Sequence, residues 1–435
     1  MGKQKRLRKG ALVGGSMTKI LLKGPVLTRS GYGEQTRFAL RALRKKEDLF
    51  DIFIQPISWG QTSWLSETSE ERLWIDQTIE KTIIHIQQGG KFDATVQCTI
   101  PNEWENYPGT TNIGYTAGIE TTKVAHEWLQ KANEMDKVIV VSEHSKKVFE
   151  ETVYAAREKE TEKEYTLKLE TPIDSIGYPV KSFEETDELK LDLKHDFNFL
   201  TVAQMGPRKN IHQTIKWFVE EFKNDDVGLV LKINATRNCV MDREHLLHDL
   251  RSTVKGFSES ENKCKIYLLH GDMSDMEMHS LYQHPKIKAL VSLSHGEGFG
   301  LPMFEATYCG LPVISTSWSG QADFLYDDKG RANFYDVRYD LAPVPEEIIW
   351  EGVIIKESMW CYPKEESTKQ QMRLCFTELS ADPGIPEAFN PERHKKFLKE
   401  KFSEDVMLNK FCDLVTDALQ KDSEWLEDLD EVAEL

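Results

Sequence analysis

The stretch from Ala289 to Gly320, ALVSLSHGEGFGLPMFEATYCGLPVISTSWSG, constrains the fold more than any other part of the chain. Ala289–Leu293 is an apolar run of strand length, and Ser294–Gly300 then sets Gly296, Gly298 and Gly300 around a carboxylate and an aromatic ring. Pro302 follows where a helix can begin, because the N–H that proline lacks has no partner in a first turn anyway. Gly310 is suited to a left-handed helix terminus and Pro312 forbids continuation. Val313–Thr316 reads as the next strand. Strand, glycine loop, helix and strand make a βαβ unit, which places small ligands at the carboxyl ends of parallel strands.

Two carboxylates sit in that unit, Glu297 in the loop and Glu305 about one turn into the helix, with seven residues between them. They do not share a helix face, so they address different parts of an extended ligand. The glycines let backbone N–H groups approach that ligand closely, and a helix start favours anions. The plainer alternative is an ordinary glycine loop with two solvated glutamates; the whole string speaks against it. Glu297-Gly-Phe-Gly-Leu-Pro through Glu305, followed by Gly310-Leu-Pro-Val, resembles the E-x7-E signature of the family 4 (group 1) glycosyltransferases, nucleotide-sugar enzymes of the GT-B fold. The resemblance implies that Glu297 lies by the donor sugar and that Glu305 binds the ribose hydroxyls. It also implies that the backbone of Gly298, Phe299 and Gly300 faces the sugar, with His295, Gly296 and Leu301 as neighbouring contacts.

At 435 residues the chain is expected to form two domains, each with its own core. The composition, 40% hydrophobic and 29% charged, is that of an ordinary soluble protein. No apolar run approaches the roughly 18 residues of a membrane span. The basic start, MGKQKRLRKGALVGGS, has too short an apolar core for a secretory signal. Residues 1–16 are expected to be a flexible tail, solvated rather than bound to DNA or an anionic membrane. Seven scattered cysteines, none in a C-x-x-C pair, fit reduced thiols better than disulfides or a zinc site. The net charge of −17 argues against the body of the protein tracking a polyanion. A cytoplasmic location, or one peripheral to a membrane, is the expectation.

The expected architecture is α/β, with two Rossmann-like doubly wound domains facing across a cleft. Residues 17–185 form the first, on the acceptor side, and 186–390 the second, on the nucleotide-sugar side. A helix within 391–420 packs back on the first domain, and 421–435 is an acidic tail. Thr18–Lys23 is the first strand, after which Ser30-Gly31-Tyr32-Gly33 opens a helix to about Lys46. That loop resembles the SGYG loop of a subgroup of the family, where it faces donor phosphates and acceptor; Arg37, one turn further on, is a candidate phosphate contact. Trp59 and Trp64 lie on a long loop and plug the core or stack on sugar. Thr116–Thr121 (T-x-G-I-E-T), Trp128 and Asp136–His144 resemble the same subgroup. Many relatives carry a histidine beside the donor sugar in this domain, and none of His85, His126 and His144 stands at a matching position.

The second domain starts at Phe197–Ala203, followed by Gln204, Arg208-Lys209-Asn210 and an amphipathic helix to about Phe222. Two adjacent cations before a helix make an anion site, with fixed charge, dipole and free N–H groups acting together. In the family this loop gives an arginine and a lysine to the donor diphosphate. Lys209 matches the lysine, whereas Gln204 stands where the arginine falls, which leaves open whether Arg208 takes its place. His270–Met273 is expected to offer backbone contacts to the base.

Glycosyl transfer from a nucleotide diphosphate sugar builds charge on the leaving β-phosphate. The sequence has no Asp-x-Asp metal loop outside the acidic end (Asp428, Asp430). Lys209, Arg208, the helix start and the 30–33 loop would therefore carry that charge. The expectation is a retaining, metal-independent glycosyltransferase, with Lys209 and Glu297 catalytic. It would move a sugar from a UDP- or GDP-sugar to a hydroxyl of a glycan or glycolipid, without cofactor or metal. The alternatives are a glycosyltransferase acting on a nucleic-acid base or a protein, and a catalytically silent GT-B binding module.

Overall fold

A computed structural model describes residues 17–157, 164–183, 186, 188–257, 262–380 and 390–433, with side chains to residue 420. The basic tail at 1–16 and the side chains of the acidic end at 421–435 lie outside the described residues.

The first lobe runs β1 (Thr18–Gly24), α1 (Gly31–Arg44), β2 (Phe50–Pro56), α2 (Glu70–Gln87), β3 (Ala94–Cys98), β4 (Thr111–Thr116), α3 (His126–Ala132), β5 (Lys137–Val140) and α4 (Glu143–Glu151). β6 (Tyr154–Arg157) pairs antiparallel with β7 (Glu164–Leu167), and β8 (Ile173–Ser175) ends the lobe. Its main sheet has the order β2-β1-β3-β4-β5-β8 and every pairing is parallel. Parallel strands covered on both faces read as continuous apolar runs, and Val138, Ile139 and Val140 of β5 are all fully buried.

The second lobe runs β9 (Asn198–Gln204), α5 (Ile211–Phe222), β10 (Gly228–Asn234), α6 (Val240–Phe257), β11 (Lys265–Leu269), α7 (Asp275–Tyr282), β12 (Ile287–Ser292), α8 (Leu301–Tyr308), β13 (Val313–Ser315), the single turn α9 (Ala322–Leu325) and β14 (Tyr335–Asp336). These strands form a second parallel sheet in the order β11-β10-β9-β12-β13-β14. The strand order reverses at β1/β3 in the first sheet and at β9/β12 in the second. Crevices open at the carboxyl ends of strands where the order reverses. The 30–33 loop follows β1, Gln204–Asn210 follows β9 and Ser294–Gly300 follows β12. All three loops therefore meet at the crevice.

Beyond β14 lie an antiparallel pair, β15 (Tyr339–Pro343) with β16 (Met359–Pro363), then α10 (Glu365–Ser380), α11 (Pro391–Lys401) and α12 (Glu404–Ala433). The pair was not apparent in the sequence. Its connecting segment crosses to the first lobe, where Val353 joins the core around Trp104 and Trp128. Asn102 Nδ2 donates to Gly352 O (2.8 Å) and Met359 N to Thr122 Oγ1 (3.0 Å).

The helix expected within 391–420 is two helices, broken at Phe402. That side chain turns into the core against Phe299 and Phe304, its carbonyl accepts from Val180 N at 2.7 Å, and Ser403 Oγ restarts the helix by accepting from Val406 N. α12 then packs on α1. Phe411 meets Phe38 at 5.6 Å and Tyr115 at 5.3 Å between ring centroids, and Cys412 Sγ donates to Ala42 O. All seven cysteines are free thiols.

Candidate active site

The two lobes enclose a cleft of about 1000 Å³, lined by Ser30, Gly31 and Tyr32 on one side and by Gln204, Arg208, Lys209 and Glu297 on the other. Gly206 and Pro207 turn the chain after β9, and a short 3-10 turn with Asn210 in the left-handed region (φ 54°) sets the two cations just ahead of α5. Lys209 Nζ bonds Glu297 Oε1 at 2.5 Å, and Arg208 NH1 lies 3.1 Å from Glu297 Oε2 and 2.5 Å from Gly296 O. Arg208 NH2 reaches over to the first lobe, 3.2 Å from Glu120 Oε1. Glu297 is itself 7% exposed. Its N–H donates to Ser319 Oγ (2.9 Å) and its carbonyl accepts from Gly320 N (3.0 Å).

Burial would raise the Glu297 pKa, but the adjacent Lys209 and Arg208 outweigh it and hold the carboxyl down at about 2. Burial and then Arg208 push Lys209 below the ordinary lysine value. Arg208, where burial acts the other way, is held above its ordinary value by Glu120 and Glu297.

Glu305, one turn into α8, has different surroundings. Tyr282 OH donates to its Oε2 at 2.9 Å. Burial raises its pKa to about 7, with Lys181 pulling the other way. Lys181, on the segment joining the lobes, bridges Glu34 (3.1 Å) and Asp275 (2.9 Å).

The remaining predicted residues divide between the cleft and its support. Ser30 caps α1, its Oγ accepting from Gly33 N at 3.0 Å. Gly31 is exposed with open space beside it. Tyr32 OH accepts from Ala117 N (3.2 Å) and shares a hydrogen bond with Thr116 Oγ1 (2.8 Å), while its ring lies 4.3 Å from that of Trp59. Gly33 serves the fold, because a Cβ there would stand 2.1 Å from Thr28 O. Gly296 and Gly298 let the lobes touch, since a Cβ would come within 2.4 Å of Glu120 O and 2.7 Å of Ala117 O respectively. Only the backbone of Phe299 is available to a ligand; its ring packs on Tyr178, Phe304 and Phe324. Gly300, in the left-handed region at φ 95°, caps α8, and Leu301 is half-buried at the cleft.

Several expectations need correction. His295 turns from the cleft: its ring stacks on Trp360, Nδ1 pairs with Cys361 O (2.7 Å) and its N–H donates to Arg208 O (2.8 Å), so it braces the cation loop. Gln204 lines the cleft, with its Nε2 donating to Ala235 O (3.2 Å), while Arg208 is the cation that meets Glu297. Arg37 donates to Val26 O and Thr28 O (both 2.9 Å) and to Glu34, so it ties down the 30–33 loop instead of awaiting a phosphate. The side chain of His270 pairs with Asp242 at 2.8 Å, so only the backbone of 270–273, as expected, is offered to a ligand. Trp64 is half exposed and plugs no core, and Trp59 lines the cleft. Among the described residues no histidine lines the cleft. His144 instead meets Trp318 edge-on and is pulled down to about 4 by burial.

Sequence reasoning did not single out Glu120, Lys181 or Tyr282 as site residues. Glu120 lay inside the T-x-G-I-E-T string, which was a usable signal. Nothing local marks Lys181 or Tyr282, because their roles come from contacts across the fold.

With this geometry in place, the second lobe can be set beside known proteins. The family model described as Glycosyl transferases group 1 matches residues 183–338. Those residues make up most of the second lobe, and the likeness is to that family's domain. The O-antigen chain mannosyltransferase RfbU of Salmonella typhimurium is 31% identical over 141 residues, 32% of this chain and 35% of that protein. The matches span about a third of the length of the curated relatives. A glycosyltransferase from Rickettsia africae superposes with a TM-score of 0.58 at 14% identity, covering 93% of this chain and 99% of that one. Anabaena Alr3699/HepE, solved with UDP and glucose, gives 0.57 at 12% identity, covering 92% and 100%. These two likenesses establish the GT-B fold. Among the described residues no helix is long and apolar enough to cross a membrane, and no group of three or more His, Cys, Asp and Glu could hold a metal ion.

Proposed function

We propose that the protein is a retaining glycosyltransferase that moves a sugar from a nucleotide diphosphate sugar to a hydroxyl of a glycan or glycolipid, using its own cations in place of a metal ion. One observation carries the reading: Lys209 and Arg208 converge on Glu297 at the carboxyl ends of β9 and β12, facing the 30–33 loop across the cleft. In this reading Lys209 and Arg208 stabilise charge developing on the leaving β-phosphate. Glu297, ionised and fixed by its backbone bonds, orients the sugar, and Glu305 accepts from the ribose hydroxyls. The leaving phosphate takes the acceptor proton. The group 1 match over the lobe that bears all four residues supports the assignment, as does the mannosyltransferase relative.

A thermal-shift panel of UDP-, GDP- and ADP-sugars tests it, since a ligand at a hundred times its Kd raises stability by about 2.7 kcal/mol. The best binder is then assayed for sugar release and for transfer to hydroxyl acceptors. Stabilisation by one nucleotide sugar with slow hydrolysis of its sugar is expected. Indifference to every nucleotide sugar overturns the proposal.

A further inference from the structure

The cation site contains its own anions. Arg208 spends NH1 on Glu297 and the carbonyl of Gly296, and NH2 on Glu120, while Lys209 is spent on Glu297. Two cations thus face two carboxylates. A diphosphate entering a balanced set gains little net attraction unless one carboxylate withdraws. Glu297 is poorly placed to do so, being 7% exposed and pinned through both its N–H and its carbonyl.

Glu120 is differently built. It stands on the loop after β4, in the opposite lobe, its side chain is half-buried at the cleft wall, and Arg208 is its ion-pair partner. Gly296 packs closely against its carbonyl, while its half-exposed carboxylate borders the cleft, into which a side-chain rotation would carry it.

We propose that Glu120 is a latch that competes with the donor diphosphate for Arg208. It ties the lobes together and is displaced when the nucleotide binds. The proposal rests on the nucleotide-sugar reading above and adds a residue which that reading does not use. The latch makes donor binding an exchange of one anion for another. Its return to Arg208 after transfer favours release of the nucleoside diphosphate. Glu120 is a positioning residue here, acting through Arg208.

The exchange predicts a gain of binding on removing a native group, which a merely structural role does not produce. Titration calorimetry of UDP, GDP and ADP against the full chain and Glu120→Gln is expected to show Kd about three- to tenfold lower in the variant, the range of a partly exposed ion pair. Glu120→Ala is run beside it, so that a folding defect in one variant does not decide the matter. The gain should vanish when Arg208 is already Gln, as a double-mutant cycle requires of two groups that act through each other. If the native chain binds a nucleoside diphosphate and both Glu120 variants bind it equally or less tightly, the latch is overturned and the nucleotide reading stands. A gain that persists undiminished in the Arg208→Gln background also overturns it, since Glu120 would then repel the ligand directly. If neither the native chain nor a variant binds any nucleoside diphosphate, both proposals fall together.

Discussion

Glu297 and Glu305 belong to one loop–helix segment, the first buried and the second half-buried, and their pKa values move in opposite senses. Glu297 is held at about 2 and Glu305 is raised to about 7. Burial pushes both upward, so the difference lies in what stands beside them. Glu297 has two cations within hydrogen-bond distance. Glu305 has a neutral phenol as its direct partner, and the nearby Lys181 is committed to Glu34 and Asp275. One motif therefore presents a fixed charge where a sugar's developing positive charge would sit and a titratable acceptor where hydroxyls would sit.

The largest expected effect lies on the charged side of the comparison. Removing one preorganised donor from such a site costs roughly 2.7–4 kcal/mol of barrier, so Lys209→Ala should cut turnover about a hundredfold or more. Steady-state kinetics with a melting curve as control decides this; near-normal turnover with an intact fold would remove Lys209 from the catalytic role. Next comes Glu297→Gln, which keeps the shape and deletes the charge. It should lower kcat by roughly tenfold or more, with a smaller change in nucleotide Kd, because an interaction made chiefly in the transition state appears in kcat. If the variant chiefly weakened nucleotide binding, the roles given to the two glutamates would have to be exchanged.

Much of this contrast was legible in the sequence, and some of it was not. The βαβ unit could be read because glycine, proline and an apolar run punctuate it locally. For the same reason β1 falls at Thr18–Gly24 and α5 ends at Phe222, close to where they were expected. Lys209 was legible because its loop follows the first strand of a lobe. The break at Phe402 was not, since it depends on that ring packing against Phe299 and Phe304, which no local pattern announces. Nor was the turning of His295 onto Trp360, residues that only folding brings together. The pKa of Glu305 was likewise unreadable, because burial and Lys181 set it through tertiary contact.

A smaller effect separates the two glutamates by pH. For Glu297, whose folded pKa lies below the unfolded value, stability is present above about pH 4.5 and is lost as pH falls towards 2. For Glu305, whose folded pKa is raised, the folded chain holds an extra proton between about 4.5 and 7, so its contribution falls as pH rises through that window. Glu305→Gln should therefore flatten the pH dependence of the melting temperature between about pH 5 and 7. A slope unchanged from the native chain would mean that Glu305 does not titrate there.

The smallest effect sharpens the comparison most, because it tests the cause of the difference. If Glu305 binds hydroxyls as proposed, its ionised form is the better acceptor, so affinity for a nucleotide sugar should rise as pH passes through about 7. A sugar nucleotide is the right probe, since its diphosphate diester carries no proton that titrates in that range. Lys181 holds the Glu305 pKa down against burial. In Lys181→Met the midpoint of the affinity curve should move up by about one pH unit, the shift expected on losing a single nearby charge. Glu34 and Asp275 lose their shared cation in the same variant, and their repulsion pushes Glu305 in the same direction. A midpoint that stays in place or moves down would show that burial alone sets Glu305. The contrast with Glu297 would then rest on the cations of one site and owe nothing to the segment joining the lobes.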